Sequence, residues 1–186
     1  RVAVASGPQP DPVEKGHALS HVAARRSVVV EDGLDRSVGA IGHDEAVGGP
    51  CAEDAMSILK DWVAGLGPEN EALRENPGVL HSFSGSLETA QQAIGLNFCI
   101  GITGPVTFKN AKQIKEVAQR TPMDRILIET DSPYLSPEPV RSQRRNEPAH
   151  LIHTAARLAH VRACSLENFA SVTTTNARRA LLRATS

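Results

Sequence analysis

Short apolar runs alternate along the chain with longer stretches in which apolar residues recur every three to four positions. The short runs predict strands near residues 1–6, 27–31, 38–42, 78–81, 96–101 and 125–130. The longer stretches predict helices near residues 12–25, 52–65, 87–94, 109–120, 147–161 and 165–183. This alternation indicates right-handed β/α units arranged around a parallel sheet.

Four of the predicted strands lead into side chains that can bind a metal. These side chains are Glu31, His43, His81 and, after the last strand, Asp131 with Glu129 nearby. A single strand-end carboxylate usually caps the next helix, and a single histidine is usually a hydrogen-bonded core residue. The carboxyl ends of parallel strands meet at one edge, however, and a mixed nitrogen and oxygen set suits zinc, manganese or magnesium.

The last of these strands carries two carboxylates. Glu129 and Asp131 alternate with Thr130, so both side chains are expected to point to the same side of the strand. Pro133 follows at once and is expected to end the strand. This pattern predicts a buried strand that delivers acidic groups to a site.

Length, charge and cysteine content limit the possible functions of the chain. At 186 residues and 40% hydrophobic residues, the chain is expected to form a single domain over residues 1–186. The formal net charge of -1 gives no global electrostatic reason to bind nucleic acid, so such binding would need a local patch. The three widely spaced cysteines predict reduced thiols in a cytoplasmic protein. No apolar run of about 18 residues occurs, so no membrane association is expected.

Several sequence blocks resemble one known family. They are His81-Ser-Phe-Ser-Gly85, Ile100 to Asn110, Ile126 to Leu135, Arg145-Asn-Glu-Pro148 and, in the first half, Glu31-Asp-Gly-Leu-Asp35. Together they are similar to the signature blocks of the TatD-like metal-dependent deoxyribonucleases of the amidohydrolase superfamily. The resemblance covers roughly residues 77 to 186. It implies a TIM-type (β/α) barrel and hydrolysis of DNA phosphodiester bonds, with trimming of DNA ends.

The barrel that this resemblance implies is expected to be incomplete. Six strands are predicted instead of eight, and a full barrel takes about 250 residues. The shortfall of about 64 residues matches two β/α units, which we interpret as the first two. The family's first strand should end in H-x-H, and no such tripeptide occurs here.

The same resemblance implies roles for individual residues. Glu31 would bridge two divalent ions, and His43 and His81 would bind the second of them. Asp131 would bind the first ion and take a proton from its water. Glu129 would not bind an ion itself but would hold one of the metal ligands in its orientation. The family uses two ions, magnesium, manganese or zinc. Without H-x-H we expect this chain to bind metal poorly, with fewer ions, and to cleave DNA weakly or not at all.

Substrate holding is predicted for a basic loop. Arg145 precedes Asn146, which could cap a helix whose first turn contains Pro148 and so leave N-H groups open to a phosphate. Lys109 is a further candidate phosphate contact. The alternative is a solvated basic loop, which charge alone favours equally.

Two other functions stay open at this point. The chain could be a noncatalytic remnant or fragment of such a barrel that has lost its metals. It could also be a member of the superfamily that hydrolyses another ester or an amide bond.

Overall fold

The computed structural model describes residues 2–3, 28–31, 50–143 and 145–181, with side chains for 52–143 and 145–180. Its strands are β1 (Val2–Ala3), β2 (Val28–Glu31), β3 (Gly78–His81), β4 (Cys99–Ile102) and β5 (Ile126–Ile128). Its α-helices are α1 (Pro50–Ala64), α2 (Glu71–Glu75), α3 (Leu87–Gly95), α4 (Lys112–Arg120), α5 (Leu151–Val161) and α6 (Leu166–Leu181). Short 3-10 helices span Pro68–Asn70, Gly104–Thr107, Met123–Arg125 and Pro148–His150.

The strands form one sheet in the order β1-β2-β3-β4-β5. Neighbouring strands from β2 to β5 run parallel, as the alternation with helices predicted. Strand β1 is antiparallel to β2, with Val2 opposite Val30, so the expectation of an all-parallel sheet was wrong for this strand. An apolar run indicates a strand without specifying its direction, which depends on the connection to its neighbour.

Element boundaries differ from the predicted ones at a few places. Strand β5 ends at Ile128 instead of residue 130, and α4 begins at Lys112 instead of residue 109. The short helix α2 was not predicted. The predicted strand 38–42 and helix 12–25 lie outside the described residues, so the count of six strands stays a prediction.

One face of the sheet is covered by helices and forms the main core. Leu80, Ile100 and Ile126 point to this face from three neighbouring strands, and the last two are completely buried. Phe98 and Phe169, also completely buried, pack into the same cluster. Burying side chains of this size contributes about 1.5–3 kcal/mol each, so this layer fixes the positions of the parallel strands.

The opposite face, here called the site face, is apolar at one end of the strands and polar at the other. Near the amino-terminal ends, a small cluster consists of Val79, Cys99, Leu127, Ala177 and Ala180. Side chains alternate along a strand, so residues two positions further on point to the same face. Those residues are His81, Gly101 and Glu129. The fold thus places the His81 imidazole and the Glu129 carboxylate side by side above this apolar cluster, which is here called the floor of the site.

Helix α6 contributes Ala177 and Ala180 to this floor. The Asn176 side chain donates hydrogen bonds to the carbonyl oxygens of Met123 at 2.7 Å and Ile126 at 2.9 Å. These bonds fix the start of β5 to the helix. Within the described part of the chain, none of the helices has the length and apolar character that crossing a membrane would need.

Candidate active site

His81 and Glu129 form the centre of the site. The Nδ1 atom of His81 lies 2.7 Å from Oε2 of Glu129, and the same oxygen accepts a hydrogen bond from the Ser82 backbone N-H at 2.9 Å. The two side chains are 27% and 16% exposed, so this contact is partly shielded from water. Two donors on one carboxylate oxygen fix the orientation of both the carboxylate and the imidazole ring.

Gly101 makes this contact possible. It lies on β4 between the strands that carry His81 and Glu129. A Cβ atom built at Gly101 would lie 2.6 Å from Oε2 of Glu129 and closer still to Oε1, well inside the 3.0 Å that real Cβ atoms respect. The Glu129 carboxylate therefore occupies the space that any other residue at position 101 would fill. A glycine within a strand is a signal of such close approach, and sequence reasoning missed it here.

Asp131 approaches His81 from the other side. Its Oδ1 atom lies 3.7 Å from Nε2 of His81, and its side chain is 32% exposed. Asp131 has φ 54, in the left-handed region, and its carbonyl accepts the Tyr134 N-H at 2.9 Å in a turn. Both carboxylates therefore face the same imidazole, as predicted, but strand alternation is not the cause. The strand ends first, and a turn brings the second carboxylate back.

His81 and Asp131 are spaced as two ligands of one divalent metal can be. A separation of 3.7 Å between Nε2 and Oδ1 is too long for a hydrogen bond. It is close to the roughly 3.4 Å that separates two ligands on a tetrahedral ion with bonds of about 2.1 Å. The carboxylate behind Nδ1 matches the carboxylate that commonly orients a metal-bound histidine. The donor set of His81 and Asp131 therefore fits such an ion.

The structure describes the other two predicted ligands, Glu31 and His43, only in part. The strand register pairs Glu31 with His81, so the backbone of Glu31 lies beside the site. Its side chain and all of His43 lie outside what is described, and their roles stay predictions. Within the described residues, no group of three His, Cys, Asp or Glu side chains is close enough to hold a metal ion.

Asn146 has a different position from the one predicted. Its side chain is only 2% exposed, and its amide donates to the carbonyl oxygens of Thr130 and Tyr134, each at 2.6 Å. The N-cap of the following 3-10 helix is Glu147, paired with His150 in a capping box, so the capping prediction for Asn146 was wrong. Oδ1 of Asn146 instead accepts the N-H of Glu147, the N-cap residue itself, at 2.9 Å. Its role in substrate binding stays a prediction.

The predicted phosphate contacts lie on two loops at the same edge. Lys109 follows β4 and Arg145 follows β5, and both are exposed. The backbone N-H of Glu138 donates to Oγ1 of Thr107 at 2.8 Å, which ties the two loops together. The neighbouring Arg141 stacks on the Phe108 ring at 3.8 Å. Both loops follow the carboxyl ends of neighbouring strands, the edge that also carries His81, and the contacts of Lys109 and Arg145 with a phosphate stay predictions.

A largely parallel β/α sheet with an imidazole between two carboxylates at its carboxyl edge is compatible with a metal-dependent hydrolase. Comparison with known proteins identifies the family within this class. The family model described as TatD related DNase matches residues 40–182. The chain therefore belongs to the TatD-related DNase family, as its sequence blocks indicated.

Curated relatives support this membership. The chain is 42% identical over 127 residues to the uncharacterized metal-dependent hydrolase YabD of Bacillus subtilis, covering 68% of this chain and 46% of YabD. It is 42% identical over 128 residues to the 3'-5' ssDNA/RNA exonuclease TatD of Citrobacter koseri, covering 66% of this chain and 45% of that protein. The chain thus spans somewhat under half the length of these relatives.

Solved structures show the same fold. The Escherichia coli TatD homolog YJJV aligns with a TM-score of 0.60 at 24% identity, over 70% of this chain and 46% of that one. A TatD family hydrolase from Entamoeba histolytica aligns with a TM-score of 0.57 at 22% identity, over 70% and 47%. These neighbours are TIM barrels, and the parallel strands of the present chain correspond to part of such a barrel.

Proposed function

We propose that this chain carries part of a metal-dependent nuclease site that hydrolyses DNA phosphodiester bonds and removes nucleotides from an end. The observation that carries this proposal is the His81 imidazole held between Glu129 at 2.7 Å and Asp131 at 3.7 Å. Membership of the TatD-related DNase family and the exonuclease names of some relatives support the choice of bond. The free thiols of Cys99 and Cys164 support the predicted cytoplasmic location.

In this proposal Asp131 has two tasks and each other described residue has one. Asp131 and His81 would hold the metal, with Glu31 and His43 as the further predicted ligands. A bound divalent ion would lower the pKa of a water and stabilise charge on the phosphodiester oxygens. Asp131 would accept the proton of that water, because it is the more exposed of the two carboxylates beside the imidazole, at 32% against 16% for Glu129. Glu129 keeps the His81 proton on Nδ1, so that Nε2 presents its lone pair.

Substrate binding in this proposal is local. The chain has a formal net charge of -1, so overall charge does not attract a polyanion. The exposed side chains of Lys109 and Arg145 lie on joined loops at the site edge, where they can contact backbone phosphates. Such contacts hold a strand without reading its bases, which suits an enzyme that trims ends.

The central test replaces Asp131 by Asn, which removes the proton acceptor and weakens a ligand while keeping the shape of the side chain. Turnover of end-labelled single-stranded DNA with Mn²⁺ should fall by at least about 100-fold, with an unchanged circular dichroism spectrum. Asp124→Asn is the matched control, because its carboxylate is 61% exposed and lies before the opposite end of β5. The control should retain activity within about twofold.

The outcome separates the proposal from its alternatives. Retention of most nuclease activity by Asp131→Asn would remove the central claim. Cleavage of a panel of amides or small esters, with no cleavage of DNA, would favour another reaction of the superfamily. A chain that binds no Mn²⁺ in calorimetric titration, and cleaves none of these substrates, would favour the noncatalytic alternative.

A further inference from the structure

We infer that Asn146 is a positioning residue, which holds the loop of Asp131 in its working conformation and does not itself contact substrate. This inference rests on the proposed function, because it assigns Asn146 to the same site. Its physical basis is independent, since it comes from the hydrogen bonds of one buried amide. The observations concern the loop from Thr130 to Tyr134 and the start of the next helix.

The donor half of Asn146 closes the loop. Its Nδ2 atom donates to the carbonyl oxygens of Thr130 and Tyr134, both at 2.6 Å. Its backbone N-H also donates to the carbonyl oxygen of Pro133 at 3.0 Å. One residue therefore satisfies three carbonyl groups on both sides of Asp131. Satisfied carbonyls at this depth restrict the loop, because breaking any of these bonds leaves a polar group unpaired.

The acceptor half of the same amide joins the loop to the next helix. Oδ1 of Asn146 accepts the Glu147 backbone N-H at 2.9 Å and lies 3.2 Å from Nδ1 of His150. Two donors on one side and one acceptor on the other define the orientation of the amide. Asparagine meets this need, whereas aspartate would direct a carboxylate oxygen at two carbonyl oxygens.

The consequence falls on Asp131. Its backbone is in the left-handed region, with φ 54, a conformation that persists when the surroundings determine it. Asn146 fixes the carbonyl groups before and after this residue. The 3.7 Å approach of Oδ1 to Nε2 of His81 depends on that conformation. Loss of the Asn146 amide should therefore loosen the Asp131 carboxylate without removing any group that touches substrate.

The test measures loop mobility and metal binding in Asn146→Asp. Hydrogen exchange of a peptide covering residues 130–135, followed by mass spectrometry, should become at least about tenfold faster. Affinity for Mn²⁺ should fall at least about tenfold, as when other supports of a metal ligand are lost. Exchange in α3 should not change. Asn168→Asp on the exposed side of α6 is the matched control and should change neither quantity.

Substrate kinetics separate positioning from contact. For the positioning role, kcat should fall while KM changes less than about twofold. A rise in KM with unchanged loop exchange and metal affinity would overturn the inference and make Asn146 a substrate contact. Failure of the nuclease proposal would show instead as an Asp131→Asn variant with normal activity, and the exchange result would still stand.

Two further measurements test the inference even if Asn146→Asp does not fold. Asn146→Ser removes the two amide donors with less repulsion, so it should show the same faster exchange in milder form. In the unmutated chain, the N-H groups of Tyr134 and Asn146 should exchange slowly, because both are hydrogen bonded within the loop. Exchange of these two amides at the rate of an unfolded peptide would overturn the inference without any substitution.

Discussion

Gly101→Ala offers a sharp test of how the His81 side chain is oriented. The added methyl group would lie 2.6 Å from Oε2 of Glu129 and nearer still to the rest of that carboxylate, so the two cannot occupy the same space. Residue 101 is within β4, is paired with Leu127 of β5, and its carbonyl accepts the Phe83 N-H at 2.9 Å, so its backbone cannot move aside easily. The end of the Glu129 side chain is flexible and will move instead. His81 then loses its 2.7 Å partner.

The expected magnitudes separate function from stability. Loss of a carboxylate that supports a metal-bound histidine costs about 10- to 100-fold in metal affinity or activity, which is about 1.4 to 2.8 kcal/mol. Global stability should change by less than about 1 kcal/mol, because alanine restricts the unfolded chain and offsets part of the cost of moving Glu129. A strongly reduced affinity for Mn²⁺ with a nearly unchanged midpoint of urea unfolding is the predicted signature.

Three measurements check this prediction. Calorimetric titration with Mn²⁺ gives the affinity, and the ring nitrogen resonances of His81 show whether Nδ1 keeps its proton. Gly95→Ala is the matched control, since a Cβ atom there meets nothing within 4 Å. A double-mutant cycle with Glu129→Gln completes the test. Gly101→Ala should change the Mn²⁺ affinity little once the carboxylate is gone. Fully additive effects, or an unchanged affinity in Gly101→Ala, would refute the reasoning.

Three other predictions address substrate binding, the floor and the core. Arg145→Ala should raise KM more than it lowers kcat, and the increase in KM should become smaller at high salt. An unchanged KM would indicate a solvated loop that does not contact the substrate. Burial raises the pKa of the Cys99 thiol, so in a Cys51→Ser, Cys164→Ser background it should react with Ellman's reagent at pH 8 only after unfolding; rapid labelling of the folded chain would contradict this. Phe98→Ala should lower the free energy of unfolding by about 3–5 kcal/mol in urea titrations, and a loss below about 1 kcal/mol would contradict its completely buried position.

The sequence was most informative where the chain is locally regular. Strands β3 and β4 were found from short apolar runs, and His81 was recognised because it ends such a run. The direction of β1 was not predictable in this way, because its apolar pattern would be the same in either orientation. Family membership followed from the sequence blocks that surround these strands.

Contacts between distant residues were harder to predict. Asn146 was interpreted as a helix cap because its nearest neighbours in sequence include Pro148, and a cap is a local interaction. Its actual amide partners lie 16 and 12 residues earlier, at Thr130 and Tyr134. The closeness of Gly101 to Glu129 is likewise a product of strand register. Single-sequence patterns indicate which residues are polar or apolar, but they do not report such pairings.

The two carboxylates reach the imidazole from different local structures. Glu129 directly follows β5 and contacts Nδ1 of His81, while Asp131 lies in a turn that places its carboxylate 3.7 Å from Nε2. The left-handed backbone of Asp131 therefore sets the position of the second carboxylate. It follows that substitutions which straighten the loop should damage the site even where every predicted ligand is retained.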